Sequence, residues 1–303
     1  FHLDFSSNST TAALGTDTSG NGNSYSLNNF SIAAGVGNDS LRDSPSQIAG
    51  QTDTGSGGEI IGNYCVLNVL HNDAALTISN GNLEISTSSA SNWHNNGTTM
   101  AVQAGEKSYC EVTILSGTAS GNGAIIELGV KTINSSIPLS DYLGKTTESW
   151  EWQNNGGNNL GHNNSFSSYA SGATYATNDV IGIAVDLNSG TLKFYKNGTD
   201  LGTAFTNLPT DKGVEFACAL YGSSKVAWNF GQRPFTYQNA GTNRPSSDFK
   251  CLCSANLSTP TIEDGSQYFD TKLYTGTGSD QSLTGLAFQS DFVWIKTRNE
   301  SEN

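Results

Sequence analysis

Charged residues are scarce in this sequence, at 14% of 303 residues, and hydrophobic residues make up only 35%. Soluble domains usually carry about 25% charged residues, and here Ser, Thr, Asn and Gly fill the gap. Ser, Thr and Asn compete with the helical backbone for hydrogen bonds, and Gly costs about 1 kcal/mol per helical position relative to Ala. The composition therefore excludes an all-helical protein. No apolar run approaches the ~20 residues that span a bilayer, so we expect no membrane insertion.

Basic residues are also few: 14 Lys and Arg stand against 27 Asp and Glu, which gives a net charge of −13. A nucleic-acid partner requires a basic footprint, so this balance predicts no nucleic-acid binding. The acidity is better suited to keeping an otherwise uncharged polar surface soluble.

Cysteine is sparse, and its odd number, five, leaves at least one residue unpaired. Cys65, Cys110 and Cys218 lie in apolar strand patterns and are predicted to be small buried hydrophobic residues. Cys251 and Cys253 form a C-x-C motif with no second pair, which does not support a zinc site. We expect neither a metal nor a cofactor.

Alternation of apolar and polar residues is the main structural signal that is present. The segments Cys110 to Ile114 and Ile181 to Leu187 each place apolar side chains at every second position, as a half-buried strand requires. Asn80-Gly81 and Asn197-Gly198 follow such runs, and this dipeptide favours tight hairpin turns with positive φ. These patterns predict an all-β, antiparallel two-sheet sandwich with helix confined to short turns.

Four segments resemble the SPRY domain in their order and spacing: GEKSYCEVTIL at 105–115, IELGVK at 126–131, NDVIGIAVDLNSGTLKFYKNGTDLG at 178–202 and VAWNFG at 226–231. The resemblance covers about residues 76–233, and Cys110 departs from it because an aromatic residue is usual there. It implies a bent sandwich of the concanavalin A-like jelly-roll type. Members of that family mostly bind ligands through loops and have no catalytic machinery.

The flanking segments carry weaker resemblances. Residues 1–31 resemble the opening of a lectin module, and residues 249–297 are similar to segments that recur beside SPRY modules in tail-fibre and other virion proteins of marine bacteriophages. We expect a lectin-like opening strand and flexible segment over 1–58, a SPRY-like sandwich over 59–233, and a linker with the start of a further β module over 234–303. The apolar run that ends at Ile295 predicts a strand pair, and we expect that module to continue past Asn303.

Residues suited to catalysis do not form a recognisable set. Glu148 and Glu151 are the only close carboxylates in a strand-like setting, and their separation of three predicts opposite faces. Retaining glycosidases need two carboxyls about 5–5.5 Å apart. There is no G-x-S-x-G motif, and the four histidines are scattered. The Asp17 to Asn23 turn could hold Ca²⁺ through oxygen ligands or could be an ordinary Asx turn. We expect a non-enzyme with no catalytic residues.

Aromatic residues in polar surroundings are the remaining candidates for recognition. The stretch from Trp150 to Tyr175 is predicted to be a long inter-strand loop rich in Asn, Gly and Ser. Aromatic faces stack on sugars or contact protein partners. The alternative is that Trp150 and Trp152, two residues apart on one strand face, cover the core. The candidate ligand-binding residues are Trp93, His94, Trp150, Trp152, His162, Tyr169 and Tyr175.

The family resemblances, together with the acidic, polar and loop-rich composition, imply a phage virion appendage, either a tail-fibre or a receptor-binding protein at the virion surface, whose sandwich recognises a host-surface glycan or protein. The alternative is a purely structural virion component that binds no receptor. An extracellular carbohydrate-active enzyme is disfavoured by the missing carboxylate pair. We also expect contacts with other virion proteins and a homo-oligomer.

Overall fold

The computed structural model describes residues 1–43, 50–89, 92–117, 123–155, 159–257, 262 and 264–298. The chain divides into two compact units, Phe1–Leu257 and Ser258–Asn303. Every strand of the described residues lies in the first unit. No helix in these ranges combines the length and the apolar character needed to cross a membrane.

Two seven-stranded antiparallel sheets form the first unit. Sheet 1 has the order β1-β4-β13-β6-β7-β8-β9, and sheet 2 has the order β12-β11-β10-β5-β14-β3-β2. The strands in chain order are β1 (Leu67–Asn72), β2 (Thr77–Ser79), β3 (Glu84–Thr87), β4 (His94–Thr98), β5 (Lys107–Ser116), β6 (Ile125–Thr132), β7 (Ser149–Gln153), β8 (Leu160–His162), β9 (Ser165–Ser167), β10 (Val180–Asp186), β11 (Thr191–Lys196), β12 (Thr199–Phe205), β13 (Val214–Tyr221) and β14 (Ser224–Asn229).

Helix is confined to short turns in the part of the chain that the structure describes. The α-helix α1 (Thr11–Leu14) has four residues, and three single 3₁₀ turns cover Ala170–Gly172, Ser254–Asn256 and Gly265–Gln267. The predicted all-β sandwich is therefore confirmed.

The core lies between the two sheets and is built from the alternating apolar positions. Ile183 in β10 pairs with Cys110 in β5 and with Phe194 in β11, and all three side chains are fully buried. Trp228 in β14 is also fully buried and stacks on Phe230, with 5.3 Å between ring centroids. Each such side chain contributes about 1.5–3 kcal/mol by leaving water. The inward-facing residues predicted for β5 and β10 are therefore confirmed.

The outer face of sheet 2 is covered by the segments on either side of the sandwich sequence. Tyr109 on this face packs edge-on against Phe235, with ring centroids 5.0 Å apart. Its ring lies over Gly182, a diagonal neighbour on β10 that carries no side chain. Glu111 accepts hydrogen bonds from the backbone N–H groups of Thr236 (2.6 Å) and Tyr237 (2.9 Å). Burial raises the pKa of the Glu111 carboxyl to about 7. Residues 234–257 thus pack with the sandwich unit.

The turn at Asp17 is an Asx turn. One carboxylate oxygen accepts N–H groups from His2 and Ser19, and the other accepts the N–H of Asn23, each at 2.9 Å. These local bonds lower the pKa of the Asp17 carboxyl. They occupy both carboxylate oxygens, which favours the Asx turn over the calcium alternative.

The second unit contains no strand within residues 264–298, so the strand pair predicted there is not formed. The side chains of Phe292 and Trp294 are 83% and 72% exposed. Burial of apolar surface is what stabilises a strand pair, and these side chains lack it.

Two hairpin turns have the positive φ that the sequence predicts, with Gly81 at 66° and Gly198 at 76°. They differ in their surroundings. A Cβ atom at Gly198 would lie 2.6 Å from Cδ1 of Tyr237 and 2.9 Å from Cβ of Asn243, whereas a Cβ atom at Gly81 would meet nothing within 4 Å. Substitutions at these two glycines therefore distinguish the free-energy cost of backbone strain from that of side-chain crowding.

We predict that Gly81→Ala lowers the free energy of unfolding by about 1–2 kcal/mol, which is the cost of a left-handed alanine. Gly198→Ala should cost a further ~1–3 kcal/mol because its methyl group overlaps Tyr237. Urea unfolding monitored by circular dichroism measures both. Equal losses in the two variants would show that the 237–243 segment does not pack on the second turn.

Candidate functional site

The stretch between Trp150 and Tyr175 is not the long loop that the sequence predicts. It contains β7, β8 and β9, which extend sheet 1 to its edge. Leu128 in β6 pairs with Trp152, and Trp152 pairs with Leu160 in β8. Short strands joined by turns rich in Asn and Gly have little apolar signal of their own, so only pairing with β6 defines them as strands.

Trp152 is fully buried and is the centre of an aromatic cluster in the core. Its ring centroid lies 4.6 Å from that of Tyr175, 5.7 Å from that of Tyr169 and 5.3 Å from that of Phe194. The Tyr175 hydroxyl donates to the carbonyl oxygens of Ile126 and Trp152, each at 2.8 Å. Buried rings with satisfied hydroxyls present no face to a ligand. Trp152, Tyr169 and Tyr175 therefore belong to the core.

The buried Trp150 stacks on the partly buried His162, with ring centroids 4.8 Å apart and planes 10° apart. The Trp150 Nε1–H group donates to the side-chain oxygen of Asn207 at 3.0 Å, and Nδ1 of His162 lies 2.9 Å from the Ser149 carbonyl oxygen. His94 is buried, and its Nδ1 lies 3.0 Å from a carboxylate oxygen of Asp73. These contacts make all three candidate side chains part of the scaffold.

Trp93 is partly buried and differs from the other candidates because it lies in a group of surface aromatic rings. Its ring centroid is 5.5 Å from that of Tyr221 and 6.2 Å from that of Tyr142, and Tyr142 is 6.2 Å from Phe166. Phe166 is 45% exposed. We name Trp93, Tyr142, Phe166 and Tyr221 the aromatic strip. The sequence pattern identified Trp93 but gave no signal for Tyr142 or Tyr221.

The aromatic strip lies on the outer face of sheet 1. Tyr221 ends β13 next to Leu220, whose side chain points into the core, and alternation directs Tyr221 outward. Phe166 in β9 pairs with Gly161, which pairs with Glu151 in β7. Paired residues of antiparallel strands share a face. Tyr142 therefore lies between Trp93, which precedes β4, and Phe166 on the edge strand β9.

Tyr142 belongs to the segment 133–148, which we name the covering loop, and buried side chains of sheet 1 hold this loop in place. The Asn95 side-chain amide donates to the carbonyl oxygens of Pro138 (2.7 Å), Leu139 (3.2 Å) and Asp141 (3.0 Å). The Leu143 N–H group donates to a carboxylate oxygen of Glu127 at 2.8 Å. These bonds fix the loop on both sides of Tyr142.

The polar groups beneath the covering loop include two acidic side chains that the sequence did not bring together. Glu127 in β6 and Glu151 in β7 are almost completely buried. Burial raises the pKa of both carboxyls well above the ordinary value, and repulsion from Glu127 raises that of Glu151 further. The pair forms across two strands, so a search for spacing within one strand could not find it. Both carboxyls are shielded from solvent.

The same surface holds one buried cation. The Nζ atom of Lys131 lies 3.5 Å from a carboxylate oxygen of Glu215 and donates to the Asn95 side-chain oxygen at 3.4 Å. Within the described ranges, no group of three or more His, Cys, Asp or Glu side chains is arranged to hold a metal ion. The buried polar groups on this face of sheet 1 thus hold the covering loop in place, and they are not exposed to solvent as reactive groups would be.

Comparison with known proteins matches part of the sandwich sequence, from β5 to β14, to a family model. Residues 107–233 match the SPRY domain family. A SPRY domain indicates a protein–protein interaction module. Residues 264–303 match a second family model, a domain of unknown function, DUF7483.

Curated relatives share the domain but are much longer proteins. The Ran-binding proteins 9/10 homolog of Drosophila melanogaster is 31% identical over 129 residues, which is 43% of this chain and 13% of that protein. The ATP-dependent RNA helicase DDX1 of Xenopus laevis is 25% identical over 201 residues, which is 66% of this chain and 25% of that protein. This chain therefore spans only a small part of each relative.

Solved structures similar to this chain include two SPRY-type domains. The SPRY domain of human HERC1 has a TM-score of 0.43 and 18% identity, covering 54% of this chain and 96% of that chain. The TRIM65 PSpry domain has a TM-score of 0.44 and 17% identity, covering 55% and 92%.

We predict that Trp152→Ala lowers the free energy of unfolding by about 3–5 kcal/mol, because it leaves a cavity among three aromatic rings. Phe166→Ala is the control, since its ring is partly exposed, and should cost less than about 1 kcal/mol. Thermal and urea unfolding measure both variants. A stable Trp152→Ala protein would contradict the placement of Trp152 in the core.

Proposed function

We propose that this chain is a non-enzymatic interaction module whose SPRY domain binds a protein partner through the aromatic strip. The observation that carries the proposal is the strip itself: four aromatic side chains from four separate segments, all reaching solvent on one surface of sheet 1. Aromatic residues are enriched among the side chains that dominate protein interfaces.

The strip is held rigidly before any partner arrives. Tyr142 is fixed by the covering loop, and its hydroxyl donates to the side-chain oxygen of Asn164 at 2.5 Å. The ammonium group of Lys145 lies 5.7 Å from the centre of the Tyr142 ring, within the range of a cation–π contact. Ordering a flexible side chain on binding costs about 0.5–1.5 kcal/mol, and this arrangement avoids part of that cost.

The orientation of the rings favours a protein partner over a sugar. Adjacent rings in the strip are inclined by 53°, 48° and 32°. Stacking on a sugar requires an open flat face, whereas inclined rings leave clefts between them that accept side chains. The acidic and basic groups beside the strip, Asp141 and Lys145, pair with each other. A predominantly apolar peptide segment therefore fits the strip best.

The wider biological setting of this module remains a proposal. The resemblance of residues 249–297 to segments in phage tail-fibre proteins supports a virion appendage at the virion surface, bound to a host-surface protein or glycan and to other virion proteins in a homo-oligomer. A purely structural virion component remains the alternative. The burial of Glu127 and Glu151 beneath the covering loop supports a non-enzymatic role over a carbohydrate-active enzyme.

We predict that Trp93→Ala and Phe166→Ala each weaken partner binding about 30-fold or more, the equivalent of ~2 kcal/mol at a binding hot spot. The full chain is tested against a random peptide library and a glycan array, and selected ligands are measured by calorimetry. Tyr25→Ala is the matched control, because Tyr25 is a 48% exposed aromatic outside the strip. All three variants should unfold at nearly the wild-type temperature.

Two outcomes would contradict this proposal. Unchanged affinity for a selected peptide in both strip variants would place the binding surface elsewhere. Ligands found only on the glycan array, and lost in the same variants, would keep the strip but replace the protein partner with a sugar.

A further inference from the structure

A row of paired residues, four of them Gly or Ala, crosses the outer face of sheet 1. Its order across the strands is Gly97, Ala217, Gly129, Glu151, Gly161 and Phe166, from β4 to β9. The Glu151 side chain lies over Gly161, where a Cβ atom would be 2.0 Å from its Oε1 atom. A Cβ atom at Gly144 in the loop would be 3.0 Å from Cγ of Glu151. The loop and the glycines therefore enclose this side chain.

The carboxyl group of Glu151 has no hydrogen-bond partner at either oxygen, although both oxygens are buried. Glu127 lies diagonally across the strand pair on the same face, since Glu127 pairs with Gln153 and Glu151 pairs with Gly129. Diagonal neighbours in a sheet are close enough for long side chains to interact. Two buried carboxylates that are diagonal neighbours on adjacent strands cannot both remain charged without a large cost in free energy.

The hydrogen bonds distinguish the two carboxyls of this pair. The Leu143 N–H group donates to Glu127, and a donor stabilises the charged form of an acid. Glu151 receives no such bond, so of the two carboxyls Glu151 loses its proton less readily than Glu127. While Glu151 keeps its proton, the covering loop stays bonded to the sheet through Leu143.

Other ionisable groups around the pair are already engaged. Asp141 of the loop pairs with Lys145, and Lys131 pairs with Glu215 at 3.5 Å. Tyr142 lies above the pair and Tyr175 below it, and burial raises the pKa of both phenols. Neither cation bonds to Glu127 or Glu151, so loss of the second proton leaves two uncompensated charges under the loop.

We propose that Glu127 and Glu151 form a proton-controlled latch that holds the covering loop closed and thereby keeps Tyr142 in the aromatic strip. This inference rests on the proposed function of the strip. When Glu151 loses its proton, repulsion between the carboxylates is relieved if the loop lifts and admits water. The Leu143 bond to Glu127 then breaks, and Tyr142 moves away from Trp93 and Phe166.

The direction of the pH dependence follows from burial. Both carboxyls have a higher pKa in the closed state than in water. The closed loop is therefore fully stabilised in acid, and this stabilisation is lost as the pH rises through the pKa values of the closed state. Partner affinity at the strip should weaken over the same interval.

Hydrogen–deuterium exchange of the full chain tests the latch directly. Peptides spanning residues 133–148 are followed from about pH 5 to about pH 9, corrected for intrinsic exchange, with β13 peptides as an internal reference. Wild-type protection of the loop should fall about tenfold or more across this range. Glu151→Gln should keep its acid-level protection at alkaline pH. Glu59→Gln is the matched control, because that carboxyl bonds to Thr54 outside the loop, and should behave as wild type.

Several results would overturn the latch. These are loop protection that does not change with pH in the wild type, the same pH dependence in Glu151→Gln, or a loss that extends equally to β13. Protection restored by calcium at alkaline pH would identify a cation site instead. If Glu151→Gln fails to fold, Glu127→Gln gives the same test, since its amide oxygen can still accept the Leu143 bond. Exchange requires no partner, so failure of the strip to bind would not affect this result.

Discussion

The alternation of side chains along the central strands of sheet 1 is the constraint on which the rest of the structure depends. In β6, Leu128 faces the core and Glu127 faces outward, and in β7, Trp152 faces the core and Glu151 faces outward. A strand has only these two faces, so a sequence that fills the core fixes what the outer surface carries. Because the outer face is itself covered, polar residues that alternation would normally place in water become buried.

The outer faces of the two sheets are covered by different kinds of contact. The outer face of sheet 2 is covered through aromatic packing of Tyr109 against Phe235, together with hydrogen bonds from residues 236–237 to the buried Glu111. The outer face of sheet 1 is covered by a loop that polar side chains hold in place, above all the Asn95 amide with three backbone carbonyl oxygens. Apolar packing is insensitive to pH, whereas bonds to ionisable groups depend on their protonation. On both sheets, therefore, a buried carboxyl bonds to the segment that covers the outer face: Glu127 to Leu143 on sheet 1, and Glu111 to residues 236–237 on sheet 2.

On sheet 1, the bond from Leu143 to Glu127 connects a buried acid with the exposed aromatic strip. Tyr142 lies near the centre of the strip and on the loop that the Leu143 bond to Glu127 holds in place. A rigid display favours affinity, since less entropy is lost on binding. The cost is a pair of acidic groups without solvent, one of which has no hydrogen-bond partner. Buried acids with strongly raised pKa values cluster at functional sites in proteins.

The sequence alone determined the local features of this protein. The positions of Ile183 and Trp228 in the core, the all-β class and the positive φ at Gly198 all follow from spacing and from residue chemistry within a few positions. Only the tertiary structure decided which aromatic residues face solvent and that Glu127 meets Glu151. Those outcomes depend on which strands pair and in what register, and residues far apart in the chain carry no local signal of being neighbours. The position of Tyr142 could not be predicted for the same reason, because Asn95 and Glu127 on other strands hold its loop in place.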